Sequence, residues 1–264
     1  MATNIKVRTH AFNKNLSIRI DENPPVLVSD NYLSSWAHSG DGKNVLVTED
    51  RVIIAWIETT PIGDGTPTWV AEYDFTGEEL GRWFVCFSNI ATPGGKGKPH
   101  TPDNHDNPQL VKTDDGTIHM LTGAHHGEIY HIKSMVPGTF SEGWTTPYSY
   151  GHDPVEPHWG FSYPAIIQIG NVIHHFARWT GDWYKFRLVY FTYNLDTQER
   201  SDLVVIDESP KDHIYGVFYQ QPRREGNTLI VDYHPHWRHK EDRATTIPLK
   251  PKTWKLELEP DDII

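Results

Sequence analysis

The stretch YPAIIQIGNVIHHFARWTGDWYKFRLVYFTYN, residues 163–194, reads as three strands in succession. Tyr163 to Ile169 is rich in apolar and β-branched residues, Gly170-Asn171 is a turn pair, Val172 to Arg178 runs back, and Phe186 to Asn194 follows. Glu199 to Asp207 then closes a four-stranded antiparallel unit. No segment of the chain keeps a helical period for more than two turns, so the expected fold class is all-β.

Outward from this unit the same pattern recurs, a turn followed by an apolar strand. Glu49-Asp50-Arg51 precedes VIIAWI, Asp114-Asp115-Gly116 precedes TIHML, Gly170-Asn171 precedes VIHHFA, and Glu225-Gly226-Asn227 precedes TLIVDY. Aligning Ile53, Ile118, Ile173 and Leu229 gives intervals of 65, 55 and 56 residues. Repeats of about 40 to 60 residues in an all-β chain are propeller blades. The second unit reads as Asn107–Thr113, Thr117–Leu121, Glu128–Ser134 and Trp144–Tyr150, and the fourth ends with Trp254–Glu259. The N-terminal runs NIKVRTHAF, LSIRI and PVLVSD either supply a further blade or pair with the C-terminal strand to close the ring. The expectation is one β-propeller domain over 1–264 with about five four-stranded blades, a four-bladed or imperfect ring being the alternative.

Composition narrows the function. The 35 acidic and 24 basic residues give a formal net charge of −11 among 264 residues, the wrong sign for neutralising phosphates, so nucleic acid is not an expected partner. No run approaches the ~20 apolar residues that span a bilayer, so neither is a membrane. The single cysteine, Cys86 in WFVCF, excludes an intramolecular disulfide and reads as a buried small hydrophobe. No signal peptide stands at the N-terminus as given. The 16 His, 10 Trp and 12 Tyr in a Gly- and Pro-rich chain are the composition of a polar-aromatic sugar cleft.

In a hairpin, the start of the first strand and the end of the second emerge at one rim. Strand starts bring His105, Asn107, Tyr163 and Tyr219 to that rim, and strand ends bring His125, His126, Arg178, His234 and His236. Imidazoles, phenols and a guanidinium together suit an anion, since each donates hydrogen bonds to oxygen and Arg178 cannot lose its charge. His174 and His175 alternate in mid-strand, so one faces the interior as a core histidine. His105 with His125-His126, and the run Tyr233 to His239, hold ligating side chains without a fixed metal spacing, which leaves the question of a metal open. The loop Pro93 to Lys98 lacks the order of a phosphate-binding loop.

The motifs resemble a known family. DNHDNPQLVKTDDGTIHMLTGAHHGEIYHIKS, with FSYPAIIQIGNVIHHFARWTGDWYKFRLVYFTYNLDTQ after it, resembles the BNR-repeat proteins that include the ulvan lyases, β-propeller enzymes acting on an anionic algal polysaccharide. The likeness runs over about residues 45 to 240 and is most specific from Asp103 to Tyr193. Those lyases generally have a larger, seven-bladed ring, for which this chain is too short, and the Asp-box of sialidases is absent. The resemblance implies that His105 and His125 match the histidines of a lyase site, Tyr163 the catalytic tyrosine and Arg178 the arginine that meets a uronate carboxylate. A further tyrosine falls on Tyr219 by the repeat register or on Tyr215 by another alignment, with Tyr219 preferred. Asn107, His126, Trp179, Tyr215, His234 and Trp237 are the expected substrate-binding residues around them.

The expected function is therefore cleavage of a uronate-containing, ulvan-like polysaccharide by β-elimination, leaving a 4,5-unsaturated uronate. The expected partner is an anionic polysaccharide or oligosaccharide, the expected location secreted or extracellular. No cofactor is required, and a structural divalent metal is compatible with the histidines. A glycoside hydrolase is the first competitor; it needs two carboxylates across the cleft, from Asp103, Asp106, Glu156 and Glu225. A non-catalytic carbohydrate-binding module is the second, stacking sugars on Trp159, Trp179, Trp183 and Trp237.

Overall fold

The computed structural model describes residues 5–12, 14–30, 44–58, 66–88, 108–123, 125–150, 160–182, 185–209, 213–239 and 246–259. Every regular element among them is a strand. In chain order these are β1 (Val7–Phe12), β2 (Asn15–Ile20), β3 (Val26–Ser29), β4 (Val45–Val47), β5 (Val52–Ile57), β6 (Thr66–Tyr73), β7 (Glu79–Ser88), β8 (Gln109–Lys112), β9 (Ile118–Gly123), β10 (His125–Gly127) and β11 (Ile129–Val136). There follow β12 (Thr139–Trp144), β13 (Tyr148–Ser149), β14 (Phe161–Ile169), β15 (Val172–Asp182), β16 (Lys185–Asn194), β17 (Val204–Glu208), β18 (His213–Glu225), β19 (Thr228–His239), β20 (Thr246–Pro248) and β21 (Lys252–Glu257). They build five sheets, ordered β1-β2-β3, β4-β5-β6-β7, β8-β9-β11-β12 with β13 also on β11, β10-β14-β15-β16-β17, and β18-β19-β20 with β21 also on β19. Among the described residues the chain is all-β, its strands forming five sheets.

Two compact units divide it: Met1–Ala37, Asp41–Gly123 and Ile129–Ser149 form the first, and His38–Gly40, Ala124–Glu128 and Tyr150–Ile264 the second. In the first, β5 is buried along its whole length because both of its faces meet protein. Val52, Ile54 and Trp56 pack with Leu16, Ile18, Ile20 and Val28 of the N-terminal sheet, while Ile53 and Ala55 pack with Leu110, Ile118, Met120 and Phe140. Strand alternation thus splits one apolar run between two cores, each fully buried aliphatic side chain contributing about 1.5 to 3 kcal/mol. The N-terminal segment makes its own three-stranded sheet, and the C-terminal strand β21 pairs with β19. Cys86 is buried, which pushes its thiol up to about 12.

The turns follow the residues read as turns. Asp115 Oδ1 accepts from Thr117 N (2.9 Å) and Thr113 Oγ1 (2.6 Å), and Gly116, at φ +86°, takes the left-handed conformation that a side chain resists. One strand differs from expectation. The last strand of the second repeat, expected over Trp144–Tyr150, is split into β12 and β13, both on the edge of β11. Pro147 lies in the gap and has no N–H to give a ladder.

In the second unit the sheet of β14–β17 packs on that of β18–β21. Phe176, Phe186, Leu188 and Tyr190 meet Phe218, Leu229, Val231 and Tyr233 in one core. His174 and His175 point to opposite faces of β15, and both are core histidines. His174 Nδ1 lies 2.8 Å from the Tyr190 hydroxyl and His175 Nε2 lies 2.9 Å from that of Tyr150. Burial holds His175 neutral, with its pKa lowered to about 3.

Candidate functional site

The site grows from a break in the β14–β15 ladder. Ser162 pairs with Arg178 and Ala165 with Phe176, so Tyr163 and Pro164 together oppose Ala177 alone. This is a β-bulge, and Pro164 accounts for it by lacking an N–H. Tyr163 takes φ +54°, in the left-handed region, which costs a bulky residue on the order of 1 to 3 kcal/mol. Only two other described non-glycine residues share that sign, Asp21 and Gln198, and neither lies within a strand.

Two contacts hold the strained tyrosine. From the facing sheet, the Gln220 amide Nε2 donates to the Tyr163 carbonyl and to the Phe176 carbonyl (3.3 Å), one on each side of the bulge. Beneath the ring lies the Arg178 guanidinium, its Cζ 4.6 Å from the Tyr163 ring centroid and 5.3 Å from that of Phe186. Tyr163 is half-buried and Arg178 is 0% exposed. A desolvated guanidinium on an aromatic face is worth about 2 kcal/mol, which offsets the backbone strain.

The ladder then sets what shares the row. His125 lies opposite Ser162, Ser162 opposite Arg178, Arg178 opposite Leu188, and Leu188 opposite Asp207. His125, Tyr163 and Arg178, distant in sequence, therefore converge on adjacent positions of one sheet; His126 follows in β10.

Other expected residues lie elsewhere. Trp179 is next in β15 and turns to the opposite face from Arg178, where Arg187 covers it, Cζ to ring centroid 4.7 Å, and the Arg187 Nε lies 3.5 Å from Glu208. Tyr219 pairs with His234 in register, at positions that alternate with the core residues Phe218 and Tyr233. His234 is exposed, on the face of its strand turned away from the core residue Tyr233. Tyr215 pairs with Arg238, and Trp237 with Gly216, at the far end of the same hairpin. Glu225, an acid considered for hydrolysis, sits at the hairpin's turn with its carboxylate 2.8 Å from Arg223. His105, Asn107, Asp103, Asp106, Glu156, Trp159 and Trp183 fall outside the described residues.

The resemblance gives Arg178 to a substrate carboxylate; in the structure its guanidinium is buried and lies against the rings of Tyr163 and Phe186. Gln220 was not anticipated, and the Tyr-Pro pair inside a strand was the signal for it: a proline there frees carbonyls that some other donor has to meet. Among the described residues no group of three or more His, Cys, Asp or Glu is placed to hold a metal ion.

The chain matches no family model and no curated protein. Solved structures do resemble it. An exo-1,5-α-L-arabinanase from a bovine ruminal metagenomic library has a TM-score of 0.49 at 10% identity, over 94% of this chain and 87% of that one. The GH43 endo-arabinanase of Bacillus licheniformis has 0.45 at 12%, over 98% and 91%. Zg3597, a family 117 glycoside hydrolase of the marine bacterium Zobellia galactanivorans, has 0.41 at 9%, over 94% and 75%.

Proposed function

We propose that this protein cleaves a polysaccharide, and that it does so by β-elimination at a uronate with Tyr163 moving the proton. The observation that carries the reading is a tyrosine held in a strained backbone conformation, half-open to solvent, on a buried guanidinium. Strain of this kind persists where the surroundings over-determine it, and it concentrates at reacting positions.

The chemistry asks for what these residues offer. A base takes the proton from C5 of the uronate, the C5–H electron pair becomes the C4=C5 double bond, the C4–O4 bond breaks, and O4 takes a proton as it leaves. One tyrosine that accepts the first proton as the phenolate and then, as the phenol, gives it to O4 balances the reaction. Arg178 stays charged throughout and favours negative charge on the adjoining ring, so it acts through Tyr163 as a positioning residue. Neutralising the substrate carboxylate then falls to His105 or Asn107, with His125 the competing base.

Glycoside hydrolysis is the second reading. It is the activity of the enzymes named above, and it leaves a saturated product. A panel of uronate-containing polysaccharides, read by ultraviolet absorbance for the unsaturated uronate and by reducing-end assay for total cleavage, separates the two: elimination raises both signals together, hydrolysis only the second.

Gln220→Leu tests the support beneath Tyr163. Leu fills similar space but leaves the Tyr163 and Phe176 carbonyls without their amide donor, at about 1 to 3 kcal/mol. The urea midpoint should fall accordingly. Because the bulge then loses its hold, kcat should fall at least about tenfold with KM little changed. An unchanged kcat in a destabilised variant would reduce Gln220 to a packing residue.

A further inference from the structure

The repeat that places Arg178 also places a carboxylate in the first unit. Arg178 stands five residues beyond its anchor Ile173, His234 five beyond Leu229, and Glu58 five beyond Ile53. Glu58 directly follows β5, and its N–H donates to the Pro67 carbonyl (3.0 Å), continuing the β5–β6 ladder.

Its side chain is unusually well fixed. Ser29 Oγ donates to Glu58 Oε1 at 2.5 Å, and Trp56 Nε1 donates to the same oxygen at 2.8 Å. Both donors come from buried residues, one in β3 and one in β5. The two bonds set the carboxylate's rotamer and plane, and the second oxygen, Oε2, takes no hydrogen bond among the described residues. Glu58 itself is half-buried. A tie between two strands needs only Oε1. Oε2 is left as an acceptor of full strength, aimed in one direction, with the entropy of ordering it already lost on folding.

We propose that Glu58 is a substrate-contacting residue, its Oε2 accepting hydrogen bonds from hydroxyls of a sugar unit that carries no carboxylate. The assignment rests on the reading of the chain as a protein that acts on polysaccharides. A carboxylate repels a uronate but bonds well to vicinal hydroxyls, so Glu58 favours a neutral sugar unit. A purely structural Glu58, tying β3 to β5, is the competing account.

Glu58→Gln separates the two, because the amide oxygen still accepts from Ser29 and Trp56 while Oε2 becomes an NH2 donor. Affinity electrophoresis of the full chain through gels holding single uronate-containing or neutral polysaccharides supplies the readout, with thermal unfolding beside it. Glu58→Gln should melt within a degree or two of the wild type and lose at least about tenfold in polymer affinity, whereas Glu58→Ala should lose affinity and melt lower. Wild-type affinity in Glu58→Gln, with only Glu58→Ala unstable, would establish the structural account and overturn the proposal. Should the wild type bind a polymer without cleaving it, the elimination reading falls while the loss in Glu58→Gln still supports Glu58. Should the wild type bind no polymer at all, the Glu58 assignment falls too.

Discussion

Tyr163→Phe is expected to lower the rate of unsaturated-product formation by at least about 100-fold while the protein stays folded. The substitution deletes one oxygen. The ring that lies on Arg178 remains, as do the bulge set by Pro164 and the Gln220 bond to the main-chain carbonyl, which needs no side chain. Because Tyr163 is half-buried, loss of its hydroxyl should change stability by about 1 kcal/mol or less. Substrate affinity should be largely kept, so the loss falls on kcat. Initial rates over a range of substrate concentrations, with a urea melt of the same preparation, check both halves.

Arg178→Lys should be nearly as damaging to turnover and far more damaging to the fold. Lysine keeps a positive charge but loses the planar group that lies between the Tyr163 and Phe186 rings, and an ammonium is more strongly hydrated and less suited to a site that is 0% exposed. The expected cost in stability is about 2 kcal/mol or more. Turnover, measured at a temperature where circular dichroism shows the variant folded, should drop by at least about 100-fold, since the cation no longer lies fixed under the reacting phenol. Near wild-type turnover in the folded variant would remove Arg178 from the mechanism.

The two effects trace to features of unequal legibility. Hairpin turns such as Asp114-Asp115-Gly116 and Gly170-Asn171 are local, and the strands they join could be placed from composition and alternation alone. The convergence of His125, Ser162 and Arg178 on one row follows from the same hairpin logic. What lay beyond reach was burial, which depends on a second sheet: nothing in HHFARW says that the Arg178 side is the covered one, or that Phe218 packs against it. The run VFYQQ is apolar or aromatic at both parities, so alternation could not choose. Pro164 and Pro147 were the overlooked signals, each marking a place where a ladder stops and something else has to take over.

The central claim, that Tyr163 moves the proton in a β-elimination, is tested most directly by following ultraviolet absorbance and reducing ends together for the wild type and Tyr163→Phe on a polysaccharide that the wild type degrades. The account predicts that the wild type raises both signals in step, each new end carrying a 4,5-unsaturated uronate, and that Tyr163→Phe, still folded, raises neither at more than about a hundredth of that rate. New reducing ends without ultraviolet absorbance, or an unsaturated product formed by Tyr163→Phe at the wild-type rate, would contradict it.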